Sequence, residues 1–137
     1  MNGPHAAPAR PAESYHETYA RWRADPGAYW LEIARGIDWI RPPERAFDAA
    51  AGIYGRWFPD ATCNTCFNAL DRHVAAGHGD RPALIYDSPV TGTKRRYSYA
   101  ELTDEVAKFA GVLVDLGVGR GDRVVIYMPM VPEAVVA

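Results

Sequence analysis

One helix and the apolar segment that follows it constrain the fold of this chain most strongly. Ser98 and Glu101 form the S-x-x-E pattern of a capping box, and Gly117 stands where a helix C-cap is expected. Residues 123–128 read Arg-Val-Val-Ile-Tyr-Met, an apolar run typical of a strand buried on both faces. A helix followed by such a strand predicts α/β architecture with a parallel sheet. The buried face of the helix is predicted to comprise Leu102, Val106, Phe109, Leu113 and Leu116.

The residues after this strand predict the first turns of another helix. Pro129 to Ala137 contain Pro132 at a helix start but no cap, glycine or polar exit after Val136. We therefore expect the chain to be the N-terminal piece of a larger protein, with an incomplete α/β domain. Such a piece is expected to expose apolar surface and to self-associate through the unpaired edge of segment 123–128.

A helix and a β-hairpin are predicted upstream of the capping box. Short strands at 83–86 and 95–98 flank a turn-forming loop at 87–93, which favours an antiparallel hairpin. An earlier apolar stripe at helical spacing ends at Gly77. The members of that stripe are Cys66, Phe67, Leu70 and Val74.

The N-terminal part of the chain predicts helices rich in aromatic residues. Ser14 is a plausible N-cap for a helix that carries Tyr15, Tyr19 and Trp22 on one face. Asp25 and Pro26 supply a cap and a first helical residue for a second helix. The apolar face of that second helix is predicted to contain Tyr29, Trp30, Ile33 and Ile37.

Three regions follow from these patterns. Residues 1–14 are expected to be a loose tail, with Gly3, Pro4, Pro8 and Pro11. Residues 15–60 are expected to form a mostly helical lobe whose aromatic surface packs against a partner. Residues 61–137 are expected to begin the α/β domain, which is incomplete.

Composition narrows the class of protein. A net charge of −2 and a single basic run, Lys94 to Arg96, argue against nucleic-acid binding, and that run is expected to be a solvated loop edge. No stretch is apolar enough for a membrane span, and the first dozen residues lack the apolar core of a secretory signal. The cytoplasm is the expected compartment, where two cysteines are expected to remain thiols.

Two short motifs invite chemical readings. Cys63 and Cys66 form a CxxC that is structural on the simplest reading, with a redox pair or a zinc site as alternatives. His73 and His78 are the nearby candidate zinc ligands, but their spacing from Cys66 fits no common finger. The glycines of 117–121 leave a helix rather than enter one, so they do not predict a phosphate loop. The residues alone indicate no complete catalytic constellation.

Several segments together resemble the AMP-forming short-chain acyl-CoA synthetases. Residues 57–58 and 64–73 are similar to the opening of these enzymes. Residues 97–102, Tyr-Ser-Tyr-Ala-Glu-Leu, resemble the (S/T)-Y-x-E-L segment of adenylating enzymes, and residues 121–134 resemble their next strand and turn. Residues 15–58 look like the helical cap of acetyl- and propionyl-CoA synthetases. The loop 85–93 and the step 37–39 are more similar to the propionyl type.

This resemblance implies a ligase that uses ATP, Mg²⁺ and coenzyme A. In the family a short-chain carboxylic acid is adenylated with release of diphosphate, and the thiol then displaces AMP. The family's phosphate loop, acidic nucleotide segment, hinge and catalytic lysine have no counterpart here. The resemblance therefore implies no catalytic, cofactor-binding or metal residue in this chain. Its implied partner is the rest of the synthetase, to which it contributes scaffold and interface while remaining inactive alone.

Two other functions compete with this one. A stand-alone docking or regulatory module could use the aromatic lobe to bind a full synthetase. A small thiol-redox or metal protein could be built on Cys63 and Cys66. The reading frame after Ala137 separates the first of these from a synthetase segment, and metal analysis with a thiol pKa measurement tests the second.

Overall fold

The computed structural model describes residues 13–137. Residues 1–12 of the predicted tail lie outside the described residues. The chain divides between Thr65 and Cys66 into two compact units. The first unit ends at Thr65, and the second unit comprises Cys66–Ala137. The observed class is mixed α/β, with N-terminal helices followed by small sheets and a long helix, which confirms the predicted fold class.

Two capped helices open the first unit, as the sequence predicts. Helix α1 comprises Tyr15–Ala24, and its Ser14 cap accepts a hydrogen bond from the Glu17 N–H at 3.3 Å. Helix α2 comprises Pro26–Ala34 and begins with its proline in the first turn. The Asp25 carboxylate caps α2 by accepting a hydrogen bond from the Ala28 N–H at 2.9 Å.

Short strands, not helices, follow α2, so the prediction of a mostly helical lobe is wrong beyond about residue 38. Strand β1 (Trp39–Arg41) pairs antiparallel with β4 (Thr62–Cys63). Strand β2 (Phe47–Asp48) pairs antiparallel with β3 (Arg56–Trp57). Between them Gly52 and Gly55 adopt φ of 74° and 68°, values that suit tight turns and interrupt any helix.

The second unit begins with a broken helix. Helix α3 (Thr65–Ala69) and helix α4 (Asp71–His73) are separated at Leu70, whose φ of −125° and ψ of −70° are not helical. A wide helical turn then continues from Val74 to His78 and includes Gly77 at φ 80°. The predicted stripe from Cys66 to Val74 is therefore helical but kinked, and the buried Leu70 marks the kink.

The predicted hairpin is confirmed and is longer than expected. Strand β5 (Pro82–Ser88) pairs antiparallel with β6 (Thr93–Ser98). The basic run lies within β6, not at a loop edge, because the ladder extends as far as the pair Ser88 and Thr93. Lys94 Nζ lies 2.9 Å from the Asp87 carboxylate across the ladder.

Helix α5 (Tyr99–Asp115) confirms both predicted caps. Ser98 and Glu101 form the full capping box, and Gly117 adopts a φ of 83°. The Val118 N–H donates to the Leu113 carbonyl at 3.0 Å, which completes a Schellman motif. Of the predicted buried face, only Leu102 is fully buried, at 4% exposed, and Leu116 is 74% exposed. Val106, Phe109 and Leu113 between them are half-buried. Leu102 packs with Leu70 and Tyr97 in the core of this unit.

The predicted central strand at 123–128 is not formed, and this prediction is wrong for residues 13–137. The segment has no strand pairing, and Val125 and Tyr127 are 87% and 99% exposed. The described residues form three two-stranded antiparallel sheets, so the expected parallel sheet is absent from them. A strand needs a paired neighbour to satisfy its backbone groups, and no described strand pairs with this one. Helix α6 (Pro132–Val136) forms as expected.

The capping box of α5 makes a pH-dependent contribution to stability. The Ser98 N–H donates to Glu101 Oε2 at 2.8 Å, and this bond with that of the Ser98 hydroxyl lowers the Glu101 pKa below its ordinary 4.5. Because the folded pKa is lower, the contribution is complete above pH 4.5 and is lost as pH falls through the folded pKa. We expect acid titration of helical circular dichroism to show a steeper loss in the wild type than in Glu101→Gln. Equal slopes would contradict this role.

Candidate functional site

The cysteine pair lies at the end of a strand and the start of a short helix. Cys63 belongs to β4 and Cys66 to α3, and both are exposed free thiols. Partial burial of its sulfur raises the pKa of Cys66, and the nearby Asp71 carboxylate raises it further. A reactive thiol needs a lowered pKa, because the thiolate is the nucleophile. The surroundings of Cys66 therefore oppose the redox reading.

The histidines near this pair are not gathered around a metal position. The His73 ring packs against Tyr99, with ring centroids 4.9 Å apart. Across residues 13–137, no group of three or more His, Cys, Asp or Glu side chains is placed to hold a metal ion. A structural zinc site needs four ligands, and the described part of the chain brings no such set together.

The glycine-containing loop after α5 is closed by its own carboxylate. The Gly119 N–H donates to Asp122 Oδ2 at 2.7 Å. The loop leaves the C-terminal end of α5, where the helix dipole is negative and disfavours an anion. It therefore lacks the helix N-terminus that a phosphate-binding loop requires.

The most distinctive surface of the first unit is an apolar groove, here called the aromatic groove. It has a volume of about 350 Å³ and is formed by α1, α2, β2 and β3. The indoles of Trp30 and Trp57 meet edge to face at a centroid distance of 5.5 Å, and Phe47 lies 5.0 Å from Trp57. The lining residues are Trp22, Pro26, Gly27, Trp30, Ala46, Phe47 and Trp57.

Two unusual backbone positions hold the β2–β3 side of this groove. A Cβ atom at Gly55 would overlap Phe47 Cζ and lie 3.0 Å from the Asp48 carbonyl oxygen. Phe58 adopts a φ of 45°, and its N–H donates to the Ala46 carbonyl at 2.9 Å. A non-glycine residue in this region is strained, and the Ala46 bond helps to hold it there. Because Gly55 has no side chain, the Phe47 ring can lie directly against the Gly55 backbone.

The second unit has an apolar groove of its own, here called the α5 groove. It has a volume of about 380 Å³ and lies between β6, α5 and α6. Its apolar residues are Tyr97, Phe109, Val112, Met128, Pro132 and Val136. Charged side chains of both signs lie at its edge: Arg95, Glu105, Lys108 and Glu133.

Both grooves suit burial better than catalysis. The aromatic groove is lined by side chains that neither ionise nor attack a substrate. In the α5 groove the Lys108 ammonium is paired with carboxylates, at 2.6 Å from Asp104 and 3.2 Å from Glu105. Apolar clefts with aromatic walls and a charged rim are typical of surfaces that other polypeptide covers. The sequence anticipated an aromatic surface at residues 15–60, but it did not predict the β2–β3 pair that builds one wall.

No helix among residues 13–137 has the length and apolar character that a membrane crossing requires.

Comparisons with known proteins match almost all of the described chain. Residues 15–69 match the acetyl-coenzyme A synthetase N-terminus, and residues 71–137 match the AMP-binding enzyme family. An uncharacterized protein of Pseudomonas aeruginosa is 51% identical over 124 residues, which are 90% of this chain and 20% of that protein.

Two named relatives are similar over nearly the same region. Mouse acyl-CoA synthetase short-chain family member 3, mitochondrial, is 46% identical over 121 residues. An acetyl-coenzyme A synthetase of Streptomyces avermitilis is also 46% identical over 121 residues. Each alignment covers 88% of this chain and 18% of the relative. The chain thus spans about a fifth of the length of the curated relatives it matches.

Proposed function

Since this chain belongs to the acetyl-CoA synthetase family, in which it corresponds to the N-terminal segment, we propose that it supplies scaffold and interface to an AMP-forming acid–thiol ligase. The observation that carries this proposal is the order of the two matches, which together run from residue 15 to residue 137. The grooves support it, because apolar clefts of this kind are covered when a larger protein assembles.

The reaction proposed for the longer protein has two steps. A carboxylate oxygen of a short-chain acid attacks the α-phosphorus of ATP, and diphosphate leaves. The thiolate of coenzyme A then attacks the acyl carbon, and AMP leaves with the electron pair of the broken bond. Mg²⁺ would supply positive charge to the phosphates during the first step. The described residues offer no ligand cluster for that ion, so its site is proposed to lie elsewhere in the longer protein.

Propionate is the acid we propose for this ligase. The support is the resemblance of residues 37–39 and 85–93 to propionyl-CoA synthetases. The named relatives, an acetyl-coenzyme A synthetase and a short-chain acyl-CoA synthetase, are compatible with acetate as well. Measurement of kcat/KM for propionate and acetate with the full-length protein tests this choice, and a preference for acetate would overturn it.

The proposed division of the chain places a cap at residues 15–60 and the start of the AMP-binding domain at residues 61–137, after a tail at 1–14. We propose that no catalytic, cofactor-binding or metal residue lies in this segment. The family's phosphate loop and catalytic lysine have no matching residues here. The binding and chemical groups of the ligase would then all belong to the rest of the protein.

This assignment predicts that the segment neither binds ATP nor forms acyl-CoA when tested alone. Calorimetry with ATP and Mg²⁺ is expected to show no binding tighter than about 1 mM, equivalent to roughly −4 kcal/mol. The full-length Streptomyces avermitilis relative serves as the positive control. ATP binding tighter than that limit, or measurable acyl-CoA formation, would contradict the scaffold role.

The cytoplasm is the compartment we propose. The support is that Cys63 and Cys66 are free thiols, which a reducing compartment favours. Relatives from mouse and rat are named as mitochondrial proteins, so the mitochondrion is the alternative compartment. Fractionation of cells that express the tagged full-length protein distinguishes the two compartments.

A stand-alone docking module is the second candidate. The aromatic groove would favour it, because such a surface also suits a separate synthetase as partner. If the gene continues in frame beyond Ala137 into the rest of an AMP-binding domain, the module reading is excluded.

A further inference from the structure

We draw no further inference here: the strongest candidate, the charged cleft of about 160 Å³ between β6 and the start of α5, carries nothing, because its carboxylates already pair with the Ser98 cap and with Lys108, and nothing among residues 13–137 shows what would fill it.

Discussion

Replacement of Leu102 by alanine is expected to destabilise the second unit by about 2–5 kcal/mol, as truncation of a buried leucine does in other cores. Leu102 is 4% exposed and packs with Leu70 and Tyr97, so it joins α5 to the broken helix and to β6. The lost methyl groups leave a cavity that these neighbours fill only in part. Urea denaturation followed by circular dichroism measures the change in the unfolding free energy.

The same substitution later in the same helix is the control. Leu116 is 74% exposed, so Leu116→Ala removes little buried surface and is expected to change stability by less than about 0.5 kcal/mol. The contrast tests the finding that the apolar face of α5 is fully buried at Leu102 and exposed at Leu116. If the two variants lose equal stability, the end of α5 must be buried in solution, in a contact that residues 13–137 do not make within one chain.

Replacement of Gly55 by alanine is expected to be the most damaging small change in the first unit. The residue adopts a φ of 68°, which costs an L-residue about 1–2 kcal/mol. The added methyl group would also overlap the Phe47 ring and force it away from Trp57, and overpacking of this kind costs about 1–3 kcal/mol. The expected loss is therefore about 2–5 kcal/mol of unfolding free energy, with a red shift of tryptophan emission.

Gly52 separates the two causes. Its φ of 74° is similar, but nothing lies within 4 Å of a Cβ atom placed there. Gly52→Ala is therefore expected to lose only the backbone contribution of about 1–2 kcal/mol and to leave the emission unchanged. Equal losses in the two alanine variants would mean that Phe47 does not rest on Gly55 in solution.

Local signals made the helices predictable from the sequence. Ser98, Glu101 and Gly117 act through hydrogen bonds within a few residues, so their effect does not depend on the rest of the fold. Asp25 and Pro26 predicted the start of α2 for the same reason. The hairpin was also predictable, because turn-forming residues separate its two short strand patterns.

Contacts between distant residues were not predictable. The pairing of β1 with β4 joins residues from 39 to 63, and strands of two or three residues leave too few positions for a periodic pattern. Segment 123–128 carries a strand-like pattern, yet pairing also requires a neighbour, and residues 13–137 provide none. Pattern alone describes what a segment can do and not which partner it has.

The candidate site was predictable only in its chemistry. The density of aromatic residues at 15–60 predicted a surface for burial, and Trp22 and Trp30 do line the aromatic groove. The opposite wall depends on Phe47 and Trp57, which face each other across the β2–β3 pair. Gly55 was visible as a helix breaker, but its role beneath the Phe47 ring depends on that pair.

The lack of pairing at residues 123–128 has a consequence for the order of events during synthesis. Strands β5 and β6 and helix α5 are consecutive in the chain, so they close short loops and can assemble in about 1–10 μs once they leave the ribosome. Translation adds only about 5–20 residues each second, so any strand encoded later arrives much more slowly. During that interval Val125 and Tyr127 remain open to water on a folded support. We expect holdase chaperones to bind the nascent chain at this segment.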